Sequence, residues 1–150
     1  MERKLFLIFS VIWLVVIFYN SLQAPMSSGT GDNVTDFMNR ILSFLKIGID
    51  PKILRSYLNI IGHMFEFFFL ALFIYGFVFE CKLHYPHFLA LSICLFLGLI
   101  DEGLQGLVQG RVSSVGDVFV DLIGAGFGIL IIIINKPFSN KILKLGEGLY

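Results

Sequence analysis

Charge is scarce in this sequence. Only 11 basic and 11 acidic residues occur among 150, the formal net charge is zero, and 57% of residues are hydrophobic. A domain of this length that meets water on every side carries about a quarter of its residues as charges, so a soluble globular domain is excluded. No cluster of Lys and Arg is dense enough to follow a nucleic-acid backbone, and no acidic tail forms a solvated arm. Cysteine is nearly absent as well. Cys81 and Cys94 lie in or beside apolar stretches with no metal-ligand spacing, which excludes a disulfide framework and leaves two unpaired thiols. There is no internal repeat and no low-complexity tract.

What remains is long apolar sequence. The mean hydropathy is +0.85, and four stretches reach or approach the roughly 20 residues that a bilayer requires. They cover residues 5–24, 57–79, 88–108 and 115–134. Backbone polar groups in lipid must be satisfied internally, so the expected fold class is all-α. The expected architecture is a single domain over residues 1–150, a polytopic bundle of four transmembrane helices. Its seventeen Phe residues are read as lipid-facing bulk. The first stretch has a basic start at Arg3 and Lys4, but Leu22 and Pro25 flank the only candidate cleavage point, after Ala24. An uncleaved first span is therefore expected.

Residues 25–56 form the one long connection. Within it, residues 34–47 place Phe37, Ile41, Phe44 and Leu45 on one helical stripe, with Asp36, Asn39, Arg40, Ser43 and Lys46 mostly opposite. Asn33 or Thr35 is placed to cap the start, and Pro51 ends the stretch. The expectation is an amphipathic helix in the membrane interface, with a lid over a site as the sharper alternative. With the N-terminus inside, Arg3, Lys4, Lys82, Lys136, Lys141 and Lys144 lie in the cytoplasm, and Arg40, Lys46, Lys52, Arg55 and Arg111 lie outside. The basic ends of both termini favour this N-in, C-in arrangement.

The few charges present are not scattered. Glu66, Asp101, Glu102, Asp117 and Asp121 all sit inside or at the mouths of apolar stretches, where an ionisable side chain costs about 2.5–3.5 kcal/mol on insertion scales. Four spans that alternate in direction bring the end of the first, the start of the second, the end of the third and the start of the fourth to one side. The polar residues fall at those four places: Ser21 and Gln23; His63 and Glu66; Asp101, Glu102 and Gln105; and Asp117 and Asp121, with Arg111, Ser113 and Ser114 in the connecting loop. His63 and Glu66 share a face at i, i+3. Asp117, Asp121, Gly124 and Gly128 form one stripe, acidic at its mouth and bare deeper down, where a neighbouring helix can approach closely. Five carboxylates against Arg111 and Arg55 leave an excess of three negative charges if all are ionised. Protonation, a cationic His63, or a bound metal or cationic ligand must offset it.

In this order the residues resemble the VanZ-like family of small bacterial membrane proteins. The matches are Ser21-Leu-Gln23, His63-Met-Phe-Glu66, Asp101-Glu-Gly-Leu-Gln105, Gly110-Arg111-Val-Ser-Ser-Val-Gly-Asp117 and Asp121-Leu-Ile-Gly124, and they extend from the first span to the fourth. The family often has a basic residue shortly before its His; here the nearest is Arg55, eight positions earlier. The resemblance implies a multi-pass protein of the bacterial cytoplasmic membrane concerned with the cell envelope, and its namesake is associated with low-level teicoplanin resistance.

Two function classes follow. In the first, the protein binds a lipid-linked or lipidated small molecule at a polar pocket in the outer leaflet. Arg111, Gln105, Ser21 and Gln23 contact the ligand, and Arg111 suits an anion. In the second, it is an intramembrane hydrolase or transferase. His63, Glu66, Asp101, Glu102, Asp117 and Asp121 are then the candidate catalytic groups, with Glu66, Asp101, Asp117 and Asp121 as ligands for a divalent metal. A network that only sets helix register is the third, structural alternative. The partners expected are the lipid bilayer and such an amphiphile, with a homo-oligomer left open. The metal, the cofactor if any, and whether the chain catalyses a reaction are left open by the sequence.

Overall fold

The computed structural model describes residues 2–23 and 33–147, with side chains omitted at residues 2, 33–35 and 136–147. Five helices follow in order: α1 (Glu2–Ser21), α2 (Asn33–Phe44), α3 (Pro51–Glu80), α4 (Pro86–Gly106) and α5 (Val115–Glu147). No strand occurs among the described residues. Four of the helices are long and apolar enough to cross a membrane: α1, α3, α4 and α5 over Val115–Asn135.

Helix boundaries differ from the sequence expectation where a proline was misread. Pro51 does not end a preceding element; it opens α3, six residues before the expected start. The Asp50 carboxylate accepts the Lys52 N–H at 2.8 Å, and Pro51 occupies the first helical turn, where its missing N–H costs nothing. Pro86 likewise occupies the first turn of α4, though Tyr85 before it makes no side-chain cap bond. The first span closes earlier than residue 24, in a turn at Leu22 and Gln23 after Ser21, and the disfavoured candidate cleavage point after Ala24 lies outside the described residues. α5 begins at Val115 as expected but continues past residue 134 and through Pro137 to Glu147.

Two helix ends use the same device. Lys46 (φ 58°) and Lys82 (φ 55°) adopt the left-handed conformation directly after α2 and α3. Each is followed by a return bond, Ile47 N to Leu42 O at 2.8 Å and Leu83 N to Val78 O at 3.4 Å. This is the Schellman geometry that glycine normally serves, here built on lysine. α2 is a helix as the sequence predicts. Phe37, Ile41 and Phe44 on it are exposed, and the side chains of Asn33 and Thr35, the candidate caps, lie outside the described residues.

α3 is the hub, in contact with α1, α2, α4 and α5. The core is formed by Phe67, Leu70, Ala71, Ile74, Tyr75 and Val78 of α3 with Ile17, Ala90, Cys94, Ala125 and Ile129. α3 and α5 approach backbone to backbone. A Cβ on Gly124 would lie 2.2 Å from the Met64 carbonyl oxygen, and one on Gly128 would lie 2.7 Å from that of Phe68. The bare stripe expected from sequence is therefore a helix contact. Most other large apolar side chains face outward, among them Val15, Phe65, Phe96, Leu99, Phe119 and Ile134. The phenylalanines are not all peripheral, however. Phe67 is buried, and where α1 meets α3 Phe9 stacks on Phe73 while Trp13 meets Phe69 and Phe73 at tilted and edge-on angles. Cys81 and Cys94 are both free thiols.

Candidate functional site

The end of α1, the start of α3, the end of α4 and the start of α5 meet at one end of the bundle. Between them opens a cleft of about 880 Å³ lined by Asn20, Ser21 and Gln23, by Lys52, Arg55, Asn59, His63 and Glu66, by Gln105, and by Arg111 and Asp117. Every polar position singled out in the sequence is at this end. Among the described residues, none of α2 lines the cleft.

Below the cleft lies a buried polar layer. Asp101 is fully buried, and both of its oxygens are used: Ser21 Oγ donates to Oδ1 and Gln105 Nε2 donates to Oδ2 at 2.9 Å. The spacing of Asp101 and Gln105, one helical turn on α4, lets the amide reach the carboxylate. His63 Nδ1 lies 3.0 Å from Oδ1 of Asp121, the only ion pair among the described residues, and both residues are buried. Asp121 Oδ2 is buried without a partner. It packs against Gly98, where an added Cβ would sit 3.2 Å from that oxygen. A larger residue at Gly98 would press on this carboxylate.

Nearer the opening, Glu66 and Asp117 are half-buried and line the cleft. Asn20 Nδ2 donates to Glu66 Oε1 at 2.8 Å, and the Trp13 indole N–H donates to the Glu66 main-chain oxygen at 2.8 Å. Glu102 is only 3% exposed. Its Oε2 accepts the Ser114 N–H at 2.6 Å, which ties the α4–α5 loop to α4, while Oε1 has no partner.

Arg111 has an engagement that the sequence did not reveal. Its Nη1 donates to the carbonyl oxygens of Asn20 and Ser21 at 3.0 and 3.1 Å and reaches that of Gln23 at 3.5 Å. The last carbonyls of a helix lack partners and carry partial negative charge, so a guanidinium there caps α1. The rest of the side chain lines the cleft. Lys52 and Asn20 were also missed; Arg55, expected only as a nearby cation, shares the cleft with His63 although eight residues separate them. Pro51 as a helix start was the available signal, because it puts Lys52 and Arg55 on the first turns of α3 rather than in a loop.

Among the described residues, two groupings have metal-ligand potential, each with one candidate ligand atom per residue and all such atoms within 4.8 Å of one another. They are His63 with Asp101 and Asp121, and His63 with Glu102 and Asp117. Three of the four residues expected as metal ligands, Asp101, Asp117 and Asp121, fall within these groupings. Glu66 falls in neither.

A family model described as VanZ/LLP1 matches residues 6–136. Comparison with curated proteins and with solved structures gave no match. The match and the four apolar helices together point to a multi-pass membrane protein.

Proposed function

This chain belongs to the VanZ/LLP1 family, and on that premise we propose that its cleft holds the polar head of a lipid-linked or lipidated molecule of the bacterial envelope. The family is commonly linked to teicoplanin resistance. In this reading the protein sits in the cytoplasmic membrane with both termini inside, so the cleft opens at the outer leaflet. The observation that carries it is a polar cleft confined to one end of an otherwise apolar bundle. Lys52, Arg55 and Arg111 line it together with Glu66 and Asp117. An amphiphile whose head is anionic matches the three cations, because a guanidinium pairs with phosphate or carboxylate through two parallel bonds. Its chains stay in lipid beside the outward-facing apolar side chains of the bundle. The exposed Phe37, Ile41 and Phe44 of α2 rest at the interface. Resistance follows when such binding withholds a lipidated glycopeptide, or the cell-wall precursor it seeks, from the other.

A second reading, hydrolysis or group transfer on the same lipid-linked head, is favoured by one observation. A buried His63–Asp121 pair lies directly beneath the opening, with Glu66 and Asp117 beside it. A carboxylate that orients an imidazole is a common general-base arrangement.

The test is binding by the purified full chain in micelles, with teicoplanin and a lipid-linked, pyrophosphate-bearing cell-wall precursor as ligands. Lys52 and Arg55 are exposed, so the double variant Lys52→Ala/Arg55→Ala leaves the buried network intact. The expected result is retention of one ligand by the wild type and affinity lowered about tenfold or more in the double variant, since a hydrogen bond to a charged group is worth about 1.5–3 kcal/mol. Retention without turnover supports binding; release of a cleaved head that depends on His63 supports the second reading. No retention and no turnover by the wild type rejects both.

A further inference from the structure

We infer that His63, Glu102 and Asp117 form a site for one divalent first-row transition-metal ion, with Asp121 orienting the imidazole. Of the two groupings, this is the one in which every residue keeps a ligand atom outside the hydrogen bonds; in the other, Asp121 Oδ2 is free but Asp101 is fully engaged. Asp101 already accepts from Ser21 and Gln105 through its two oxygens, and Oδ1 of Asp121 faces His63 Nδ1. In contrast, Glu102 Oε1 is buried with no partner in a residue only 3% exposed. No hydrogen bond engages His63 Nε2 or the Asp117 carboxylate among the described residues.

The surroundings are those of a metal ligand set. A metal-bound imidazole almost always donates its other N–H to a carboxylate, and Asp121 stands 3.0 Å from Nδ1 in that place. A ligating carboxylate is itself held by a hydrogen bond, and the Ser114 N–H holds Glu102 Oε2 at 2.6 Å. Charge gives an independent reason. Asp101, Glu102, Asp117 and Asp121 have no Lys or Arg in ion-pair contact among the described residues, and Arg111 caps α1. For Asp101 and Glu102, which are buried with no Lys or Arg in reach, that isolation is costly, and a divalent ion beside them offsets it.

One imidazole and two carboxylates suit zinc or manganese better than magnesium or calcium, which prefer all-oxygen sets. Three protein ligands leave coordination positions open. His63 and Asp117 also line the cleft, so an entering ion has a path and a ligand oxygen can complete the shell. The site is independent of the amphiphile: metal content is read with no lipid ligand present, so either proposal can fail alone.

The full chain, purified in micelles and stripped with chelator, is titrated with Zn2+ and, separately, Mn2+. Bound metal is counted by atomic emission after desalting, and the ligands are identified by X-ray absorption. The expected result is one ion per chain with an imidazole nitrogen in the shell. Glu102→Gln and Asp117→Asn should each lower affinity tenfold or more, Asp121→Asn should lower it about 10–100-fold, and Glu80→Gln, exposed at the other end of α3, should leave it unchanged. Asp117 is half-buried, so its variant tests the site even where a change at Glu102 perturbs folding, which helicity and elution volume monitor. No stoichiometric metal in the wild type, no imidazole in the shell, or wild-type affinity in both Glu102→Gln and Asp117→Asn would overturn the site; the first result would mean that protons neutralise these acids.

Discussion

Replacing Gly124 by alanine joins the packing of the bundle to the geometry of its polar end. The added Cβ would meet the Met64 carbonyl oxygen at 2.2 Å, and Met64 Cα and C at 2.8 and 2.9 Å. All three are main-chain atoms of α3 and cannot rotate aside. Relief requires α3 and α5 to part by roughly 1 Å, at a cost near the upper part of the 1–3 kcal/mol range for overpacked sites. The displacement does not stay local. Asp121 lies on α5 three residues before Gly124, and His63 precedes Met64 on α3, so their 3.0 Å contact lies at the same crossing. Gly124→Ala should therefore lower the unfolding free energy by about 3 kcal/mol and weaken any binding that depends on His63. Gly126 is the internal control. It lies two residues along the same helix with nothing within 4 Å of an added Cβ, so Gly126→Ala should be neutral or stabilising by up to about 1 kcal/mol from helix propensity. Unfolding in mixed micelles, followed by far-UV circular dichroism, gives both values. A Gly124→Ala protein within about 0.5 kcal/mol of wild type, or a Gly126→Ala protein equally damaged, would refute the close approach of the two helices.

Other consequences are also measurable. Arg111→Ala should destabilise the protein by about 1.5–3 kcal/mol in the same unfolding assay, because two α1 carbonyls lose a charged donor; an unchanged value would mean that the guanidinium does not cap α1. Lys82→Gly should stabilise by about 1 kcal/mol, since a left-handed residue at φ 55° is relieved of its Cβ; a loss of stability would contradict the Schellman geometry. Trp13→Phe keeps an aromatic ring against Phe69 and Phe73 but leaves the Glu66 carbonyl without its donor. It should cost about 1 kcal/mol, and hydrogen exchange should report local loosening of α1 against α3.

The spans and the side on which their polar residues gather were legible because both signals are long or repeated. Twenty apolar residues identify themselves, and acids in such a stretch are rare enough that their common placement stands out. That some helix approaches the last span closely was readable for the same reason, from Gly124 and Gly128 one turn apart, but not that α3 is that helix. What was hidden depends on main-chain atoms or on distant pairs. Arg111 was read as an anion ligand, since no sequence pattern announces three carbonyl oxygens 88–91 residues away. Asn20 as the partner of Glu66 is equally remote, at 46 residues. The misplaced start of α3 has a different origin. A proline both ends one helix and begins the next, and the residue that decides between these, Asp50, was not weighed as a cap. Which phenylalanines pack inward was also hidden, because Phe67 and Phe65 belong to one apolar run and differ only in the face they occupy.

Single cysteines placed in a background without Cys81 and Cys94 give the most direct check, by labelling with a membrane-impermeant maleimide in intact cells. Gln23→Cys, Lys52→Cys and Gln109→Cys occupy exposed positions at the polar end, and Leu83→Cys and Asn135→Cys occupy exposed positions at the other. Positions 23, 52 and 109 should all react from outside, and 83 and 135 only after permeabilisation. Labelling of 23, 52 and 109 from different sides of the membrane would contradict a shared polar end, and labelling of all three from the inside would contradict an outward-facing cleft.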